Sequence, residues 1–424
     1  MFKHYQYDIY IDITMRVVLG DKLFNDFFYR WLIYLRPLSE FRIGGFSLRE
    51  ILVYEGFEVY YDYSESLYED YVARKFNVRR GRDVKGDYIY LNMGILSPFN
   101  KYRELISMLY DYSYEKPTAF IYNDQLIGFY IPSSKPDEVE FDIADMKKVK
   151  LDSINYLYLN YYPWEIPELS SYLIKISKNY IVEKFQFDKF MNGVYIRGDP
   201  GIPRKVSFDY REGPIFIYNA KEMWDWTIIK GPTLIREDTM LLGGRVIESV
   251  IGPVCKIGGE VSNSLINGYS NMQHHGYIGH SYIGEWVNIG AGTVFSDLKN
   301  TYGEVKVEWM GKRYNTGNIK VGSYVGDHVK IAINSSIYAG KYIGVFSHVY
   351  GLAYKNIPPF TIWNGYVREF YELNYDKAID ILKRMYSRRD VSMLDIEAKV
   401  IQSIFNATKI YRDEVDVSRG SFVI

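Results

Sequence analysis

Five of the six histidines in this chain fall within one stretch, as His274, His275, His280, His328 and His348, with His4 apart. Histidine titrates near neutrality, which makes it the usual general base. The densest segment is Asn271 to Thr293, NMQHHGYIGHSYIGEWVNIGAGT. Its small residues, Gly279, Gly284, Gly290, Ala291 and Gly292, are expected at tight corners where a ligand can approach the backbone. Backbone N–H groups at such corners can hold a developing oxyanion. A zinc site from His274, His275 and His280 would need a cysteine or an ordered carboxylate spacing, and none accompanies them. Away from this segment, Arg36, Arg42 and Arg49 could hold a nucleotide phosphate or sit in ion pairs. Trp309, Lys312 and Arg313 could form a ligand lid or a loop touching a neighbouring subunit.

The elements that carry these residues follow from a six-residue period. Ile217, Met223, Ile229, Ile235, Leu241 and Ile247 form one series, and Ile319, Val325, Ile331, Ile337, Ile343 and Val349 another. Tyr277, Ile283, Ile289 and Phe295 keep the same step between them. This period fits neither an α-helix nor a flat strand. It predicts a hexapeptide β-helix in which short strands make triangular coils and each sixth residue points inward. Stacked coils share one apolar column, so the array is stable only as a unit. Ser262 to Gln273 is out of phase. Ser296 to Asn318, containing Gly303, is an insertion expected to protrude.

Residues 1–212 read as an α/β domain. Asp21 to Leu35 has helical spacing and stops at Arg36-Pro37. Phe57 to Tyr61 and Asp87 to Leu91 read as strands, and Thr118 to Ile131 as a hairpin turning near Asn123-Asp124. Residues 213–365 carry the period. Residues 366–424 read as a helical tail, with Ala378, Ile379, Ile381, Leu382 and Met385 on one helix face. A second helix, with Ser392 as N-cap, carries Ile396, Val400, Ile401, Ile404 and Phe405. The tail is expected to cap an open end of the coil, with Arg384, Arg388 and Arg389 solvated.

The chain has 424 residues, 51 Lys plus Arg against 52 Asp plus Glu, and a formal net charge of −1. That balance argues against bulk nucleic-acid binding. One cysteine, Cys255, excludes an intrachain disulfide and suits a reducing compartment. The start, MFKHYQYDIYIDIT, shows no signal-peptide pattern, and no run is long and apolar enough to span a bilayer. A cytoplasmic location and no membrane partner are therefore expected.

Several strings carry a resemblance. They are Ile251-Gly-Pro-Val-Cys-Lys-Ile-Gly-Gly-Glu260, Gly268-Tyr-Ser-Asn271, Gly279 to Thr293, Ser296-Asp-Leu-Lys-Asn300, Val325-Gly-Asp-His328 and Ile333-Asn-Ser-Ser336. Through them, residues 213–365 resemble the acetyltransferase half of the bifunctional N-acetylglucosamine-1-phosphate uridylyltransferase/glucosamine-1-phosphate acetyltransferases. They are more similar still to a prokaryotic group of sugar-nucleotidyltransferase-like proteins with the same left-handed β-helix. Arg36-Pro-Leu-Ser-Glu-Phe-Arg-Ile-Gly-Gly45 with Leu48-Arg-Glu50 extends the resemblance into the first domain. It implies a nucleotidyltransferase-like, Rossmann-like α/β domain, then a left-handed parallel β-helix, then the helical tail.

For the site, the resemblance implies His274 as catalytic base, with Tyr277, Asn288 and Asp297 at the sugar. It implies Ala291, with Gly292 and Asn334, at acetyl-coenzyme A. It also implies a homotrimer with the site between neighbouring coils. Two departures matter. The family's lysine pair is replaced by Gly258-Gly259, leaving Lys256, Arg236 or Arg245 to anchor a phosphate. The family's serine near the coenzyme falls on Ile333. In the first domain the first strand region reads Ile9 to Thr14, followed by Met15-Arg16. No G-x-G-T-R loop follows it to cradle a triphosphate, so that domain reads as degenerate.

The expected function is coenzyme A-dependent acyl transfer to an amino sugar or sugar phosphate. The rivals are a sugar-1-phosphate nucleotidyltransferase, which alone would call for Mg2+, and a non-catalytic sugar-nucleotide binder or scaffold. A resident metal is not expected at the coil site.

Overall fold

The computed structural model describes residues 15–419 apart from 24–26, 113–115, 134–142, 152–153, 155 and 160. The expected strand at Ile9 to Thr14 lies outside the described residues. The first described strand is β1 (Arg16–Gly20). There follow α1 (Leu48–Tyr54), β2 (Glu58–Asp62), α2 (Ser66–Phe76), β3 (Arg79–Arg80), β4 (Tyr88–Asn92), α3 (Tyr102–Asp111), β5 (Thr118–Tyr122), β6 (Gln125–Ile131) and β7 (Lys147–Lys150). They form one sheet of order β3-β2-β1-β4-β6-β5-β7. β1 runs parallel to β2 and β4, and β6 runs antiparallel to β4 and β5. Both strands read from Phe57 and Asp87 are present, shifted by one residue. The β5–β6 turn is at Asn123 and Asp124, both with left-handed φ.

Asp21 to Leu35 does not form the expected helix; its described part is a series of turns. The aromatic residues there serve separate contacts instead. Tyr29 packs edge-on to Phe41, and Trp31 edge-on to Trp309. Arg36, Arg42 and Arg49 are not free for a nucleotide. Arg36 is fully buried between Glu285 (2.9 Å) and Asp327, Arg42 reaches Glu285 (3.2 Å), and Arg49 pairs with Glu40.

Helices α4 (Ile166–Ile176) and α5 (Lys178–Lys184) lead into a parallel β-helix of triangular section, the left-handed architecture expected above. Its three faces are sheets of nine, nine and eight strands. Val194–Arg197 and Ser207–Asp209 already belong to these sheets, upstream of where the six-residue period begins. The inward column runs Ile217, Met223, Ile229, Ile235, Leu241, Val246, Ile251, Ile257, Val261, Ile266, Met272, Ile278, Ile283, Ile289, Phe295, Val325, Ile331, Ile337, Ile343 and Val349, all buried in one cluster.

Three of the expected inward residues are not in it. Val246 replaces Ile247 because Ile229 pairs with Val246, so the step contracts after the Gly243-Gly244 corner. Ile278 replaces Tyr277, whose ring points outward. Ile319 is 55% exposed, at the end of the insertion. The insertion forms a hairpin, Lys306–Trp309 with Lys312–Asn315. Trp309 is fully buried and its indole N–H donates to the Phe27 carbonyl (2.8 Å), so it is not free to act as a lid, while Lys312 and Arg313 stand exposed.

Two of the three faces are covered. On the domain face, Phe216, Leu234, Val250, Leu265, Tyr282, Tyr324 and Tyr342 join the first domain in one core. On the tail face, α6 (Tyr375–Ser387) lies over Lys330 and His348. The eight-stranded face is open, with Ile228, Arg245, Val294, Ser336 and Leu352 exposed.

A further device runs along one corner. Tyr269, Trp286, His328, Phe346 and Phe360 sit one coil apart, all with left-handed φ. Their rings stack in near-parallel succession, at 4.2, 6.5, 4.7 and 4.9 Å between centroids. Left-handed φ is costly for bulky side chains, and the ladder offsets it by stacking.

The tail meets the coil end through a strand rather than through its helices. The hairpin Thr361–Asn364 and Glu369–Glu372 extends the tail face, and Trp363 and Phe370 close the apolar column. α6 buries Ala378, Ile379 and Leu382 as the spacing predicts. α7 (Glu397–Ala407) starts after Ile396, not after Ser392. Its buried Glu397 accepts from Tyr386 Oη (2.9 Å) and the Leu394 N–H (3.2 Å), which fixes that start. α8 (Lys409–Asp413) follows.

Candidate functional site

The chemistry-bearing residues gather along the edge between the tail face and the open face. Asn271–Met272 lies on the tail face and Tyr277–Gly279 on the open face. Gln273 to Gly276 turn the corner between them, and His274 and His275 stand exposed on it. Neither imidazole has a hydrogen-bond partner within the described residues.

The later corners stack on this one. The Gly292 N–H donates to the His275 carbonyl (2.9 Å), and the Asn334 N–H donates to the Ala291 carbonyl (2.8 Å). The residues expected at a base and at a coenzyme thus share one edge. The glycines among the small residues have a packing reason as well. A Cβ at Gly292 would meet Asn334 Oδ1 at 2.1 Å, at Gly279 Asp297 Oδ2 at 2.4 Å, at Gly284 Asp327 Oδ1 at 2.5 Å, and at Gly290 the Ile333 nitrogen at 2.5 Å. The four glycines make room for the next coil. Gly292 also has φ +75°.

The outward residues divide between the two faces. On the tail face Lys256, Asn271 and Asn288 form one column, in register on adjacent strands. Arg389 reaches this column from the tail, with Nη2 donating to Asn271 Oδ1 (2.8 Å). It is therefore not part of a solvated helix face. On the open face Tyr277 Oη donates to Asp297 Oδ2 (2.9 Å), and His280 Nδ1 lies 2.6 Å from the same oxygen. Burial opposes charge on Asp297, but the bonds from His280 and Tyr277 hold its carboxyl below the usual range. Burial and the Asp297 charge push the Tyr277 hydroxyl up.

Tyr277 and Asp297, expected at the sugar, are thus brought together, while Asn288 and Lys256 face the other way across the corner. His280 joins Asp297 without having been foreseen as its partner. Of the other anchors considered, Arg236 is buried against Glu50 (3.0 Å) and Glu237 (2.6 Å), and Arg245 faces Glu260 (3.5 Å) on the open face. His328 and His348 are not bases on this edge. His328 is a rung of the ladder, and burial holds it well below the usual histidine range. Burial also lowers His348 to about 4. Among the described residues no group of three or more His, Cys, Asp or Glu side chains is arranged to hold a metal ion. No helix among them is long and apolar enough to cross a membrane.

No family model matches the chain. It is 34% identical over 164 residues to a bifunctional sugar-1-phosphate nucleotidylyltransferase/acetyltransferase of Sulfurisphaera tokodaii, covering 34% of this chain and 41% of that protein. It is 36% identical over 115 residues to the bifunctional protein GlmU of Aquifex aeolicus, covering 26% of this chain and 21% of the relative. The chain thus matches well under half the length of these curated relatives. Among solved structures, a Francisella novicida UDP-N-acetylglucosamine acyltransferase aligns with 53% of this chain and 94% of its own, at 11% identity and a TM-score of 0.32.

Proposed function

We propose that the chain transfers an acyl group from acyl-coenzyme A, with acetyl-coenzyme A as the expected donor, to an amino sugar or sugar phosphate. Its setting is nucleotide-sugar metabolism, and His274 is the general base. The observation that carries this reading is the shared edge. The exposed His274–His275 corner stacks directly beneath the Ala291–Gly292 and Asn334 corners. The resemblance to bifunctional nucleotidylyltransferase/acetyltransferases supports the same assignment.

The chemistry runs as follows. His274 takes a proton from the substrate ammonium, freeing the nitrogen lone pair. The nitrogen attacks the thioester carbonyl, and the Ala291 N–H faces the oxygen on which charge develops. Collapse expels the coenzyme thiolate, which takes the first proton back from the His274 imidazolium and leaves as the thiol, and the neutral imidazole then accepts the second proton from nitrogen as the amide forms. A positioned base of this kind contributes about 10²–10⁴-fold. The open face, with exposed Ile228, Val294 and Leu352, offers identical copies a flat surface, in keeping with a homotrimer whose neighbour covers the edge. The test is release of free thiol from acetyl-coenzyme A on adding amino sugars, their 1-phosphates and nucleotide amino sugars. No release with any acceptor would overturn the reading.

One observation favours a second activity. A cleft of about 530 Å³ lies at the carboxyl ends of β1, β2 and β4, between Lys22, Tyr63, Tyr68 and Met93, with Val400 and Ile404 of α7 as its far wall. Open α/β sheets bind ligands at this position. It suits a nucleotide sugar held by the first domain, either turned over or simply bound. Pyrophosphate release from a nucleoside triphosphate and a sugar 1-phosphate, with Mg2+ present, separates turnover from binding alone.

A further inference from the structure

Arg389, Lys221 and Arg388 all lie near enough to Lys256 on the tail-face column to act on its charge. None of the four makes an ion pair within the described residues. Elsewhere in the chain, buried guanidinium groups face carboxylates, as Arg36 does Asp327, Arg236 Glu50, and Arg412 Glu372. Here the charges are left to repel one another. Burial, and then Arg389, Lys221 and Arg388, hold the Lys256 ammonium below the usual lysine range. Glu222 acts on Lys256 in the opposite sense, as the last of the contributions, and no ion pair joins the two among the described residues.

The fold positions the cluster. Tyr386, near the end of α6, packs 4.7 Å from the Trp286 ring and is tied to Glu397. That anchor sets down Arg389 on Asn271, one strand from Lys256. The negative end of α6 would attract Arg388 and Arg389 by itself. It does not account for Lys221 and Lys256, which belong to the coil.

The geometry points to a phosphate subsite assembled by the tail, in which Lys256, Arg388 and Arg389 bind the phosphate of a phosphorylated acyl acceptor. A guanidinium fork matches two phosphate oxygens, and lysine adds a point charge. Asn271 spends its carbonyl on Arg389 and keeps its amide N–H groups for the ligand. This deepens the acyl-transfer reading and relies on it only for the identity of the ligand.

Binding is therefore measured without any acyl donor, by calorimetry on the full chain, with glucosamine 1-phosphate, inorganic phosphate and glucosamine as probes. Lys256→Gln on the coil and Arg389→Gln on the tail should each weaken both phosphate-bearing probes at least tenfold and leave glucosamine unchanged. Arg389→Lys should recover part of the loss. Wild-type affinity for phosphate should fall with added salt. Unchanged affinity, within twofold, in both folded glutamine variants would overturn the subsite, whatever becomes of acyl transfer. Equal weakening of glucosamine would do the same.

Discussion

His280 Nδ1 lies 2.6 Å from Asp297 Oδ2, one coil apart on the open face. Tyr277 shares that oxygen, so a single carboxylate organises an imidazole and a phenol. Its carboxyl titrates below the usual range, so its contribution to stability is present above about pH 4, the usual aspartate value. It is lost as the pH falls through the lowered folded value. Asp297→Asn should cost on the order of 1–2 kcal/mol at neutral pH. The cost should shrink on acidification, as chemical denaturation at pH 7 and pH 3 would reveal. A constant difference across that range would contradict it.

Arg36 links the first domain to the coil through Glu285 and Asp327. Removing it leaves Asp327 buried without its counter-charge and Glu285 with Arg42 alone. Arg36→Met should therefore destabilise by about 3–5 kcal/mol. Replacing Arg36, Glu285 and Asp327 together by apolar residues should cost much less. Urea midpoints of the single and triple variants decide this, and a harmless single variant would refute it.

His328 behaves as a ring, not as a base. Both its nitrogens are buried without a hydrogen bond, and it stacks 4.7 Å from Phe346. His328→Phe should leave activity intact and raise the melting temperature. His328→Ala should lower stability by about 3 kcal/mol, as expected for loss of a buried aromatic ring. Loss of turnover in a stable phenylalanine variant would show that the imidazole itself matters.

Under α6, burial lowers His348 to about 4 and Lys330 to about 7, and the helix presents only apolar side chains there. Both groups bind protons more readily in the unfolded chain. Stability should therefore rise with pH from about 4 to about 6.5 through His348, and from about 7 to about 10.4 through Lys330. Melting curves over these windows should flatten in the lower one for His348→Leu and in the upper one for Lys330→Met. Profiles parallel to wild type would contradict the assignment.

The coil was legible because inward positions such as Ile235, Ile289 and Ile337 obey a spacing that no helix or single strand produces. Ile247 and Tyr277 were misassigned because corners differ in length, and a fixed step cannot register a corner that loses a residue; Ile319 was misassigned because it lies at the end of the insertion and not on a coil strand. The His280–Asp297 pair did have a usable signal. The register that places Ile278 against Phe295 carries His280 onto Asp297, so counting one coil forward from each histidine finds it. The Arg36 cluster and the Arg389–Asn271 contact had no such signal. They join residues hundreds or more than a hundred positions apart, and only the docking of the domain and tail brings them together. Trp309 and the turns of Asp21 to Leu35 failed for the same reason, since their apolar side chains are buried by each other's segments rather than by local periodicity.

The most direct measurement is steady-state acyl transfer by His274→Ala beside His280→Ala, in the full chain at neutral pH. The account predicts that His274→Ala lowers kcat/KM by about 10²–10⁴-fold, with the fold and coenzyme binding retained. His280→Ala should fall far less. Unchanged turnover in His274→Ala, or collapse of activity only in His280→Ala, would contradict it.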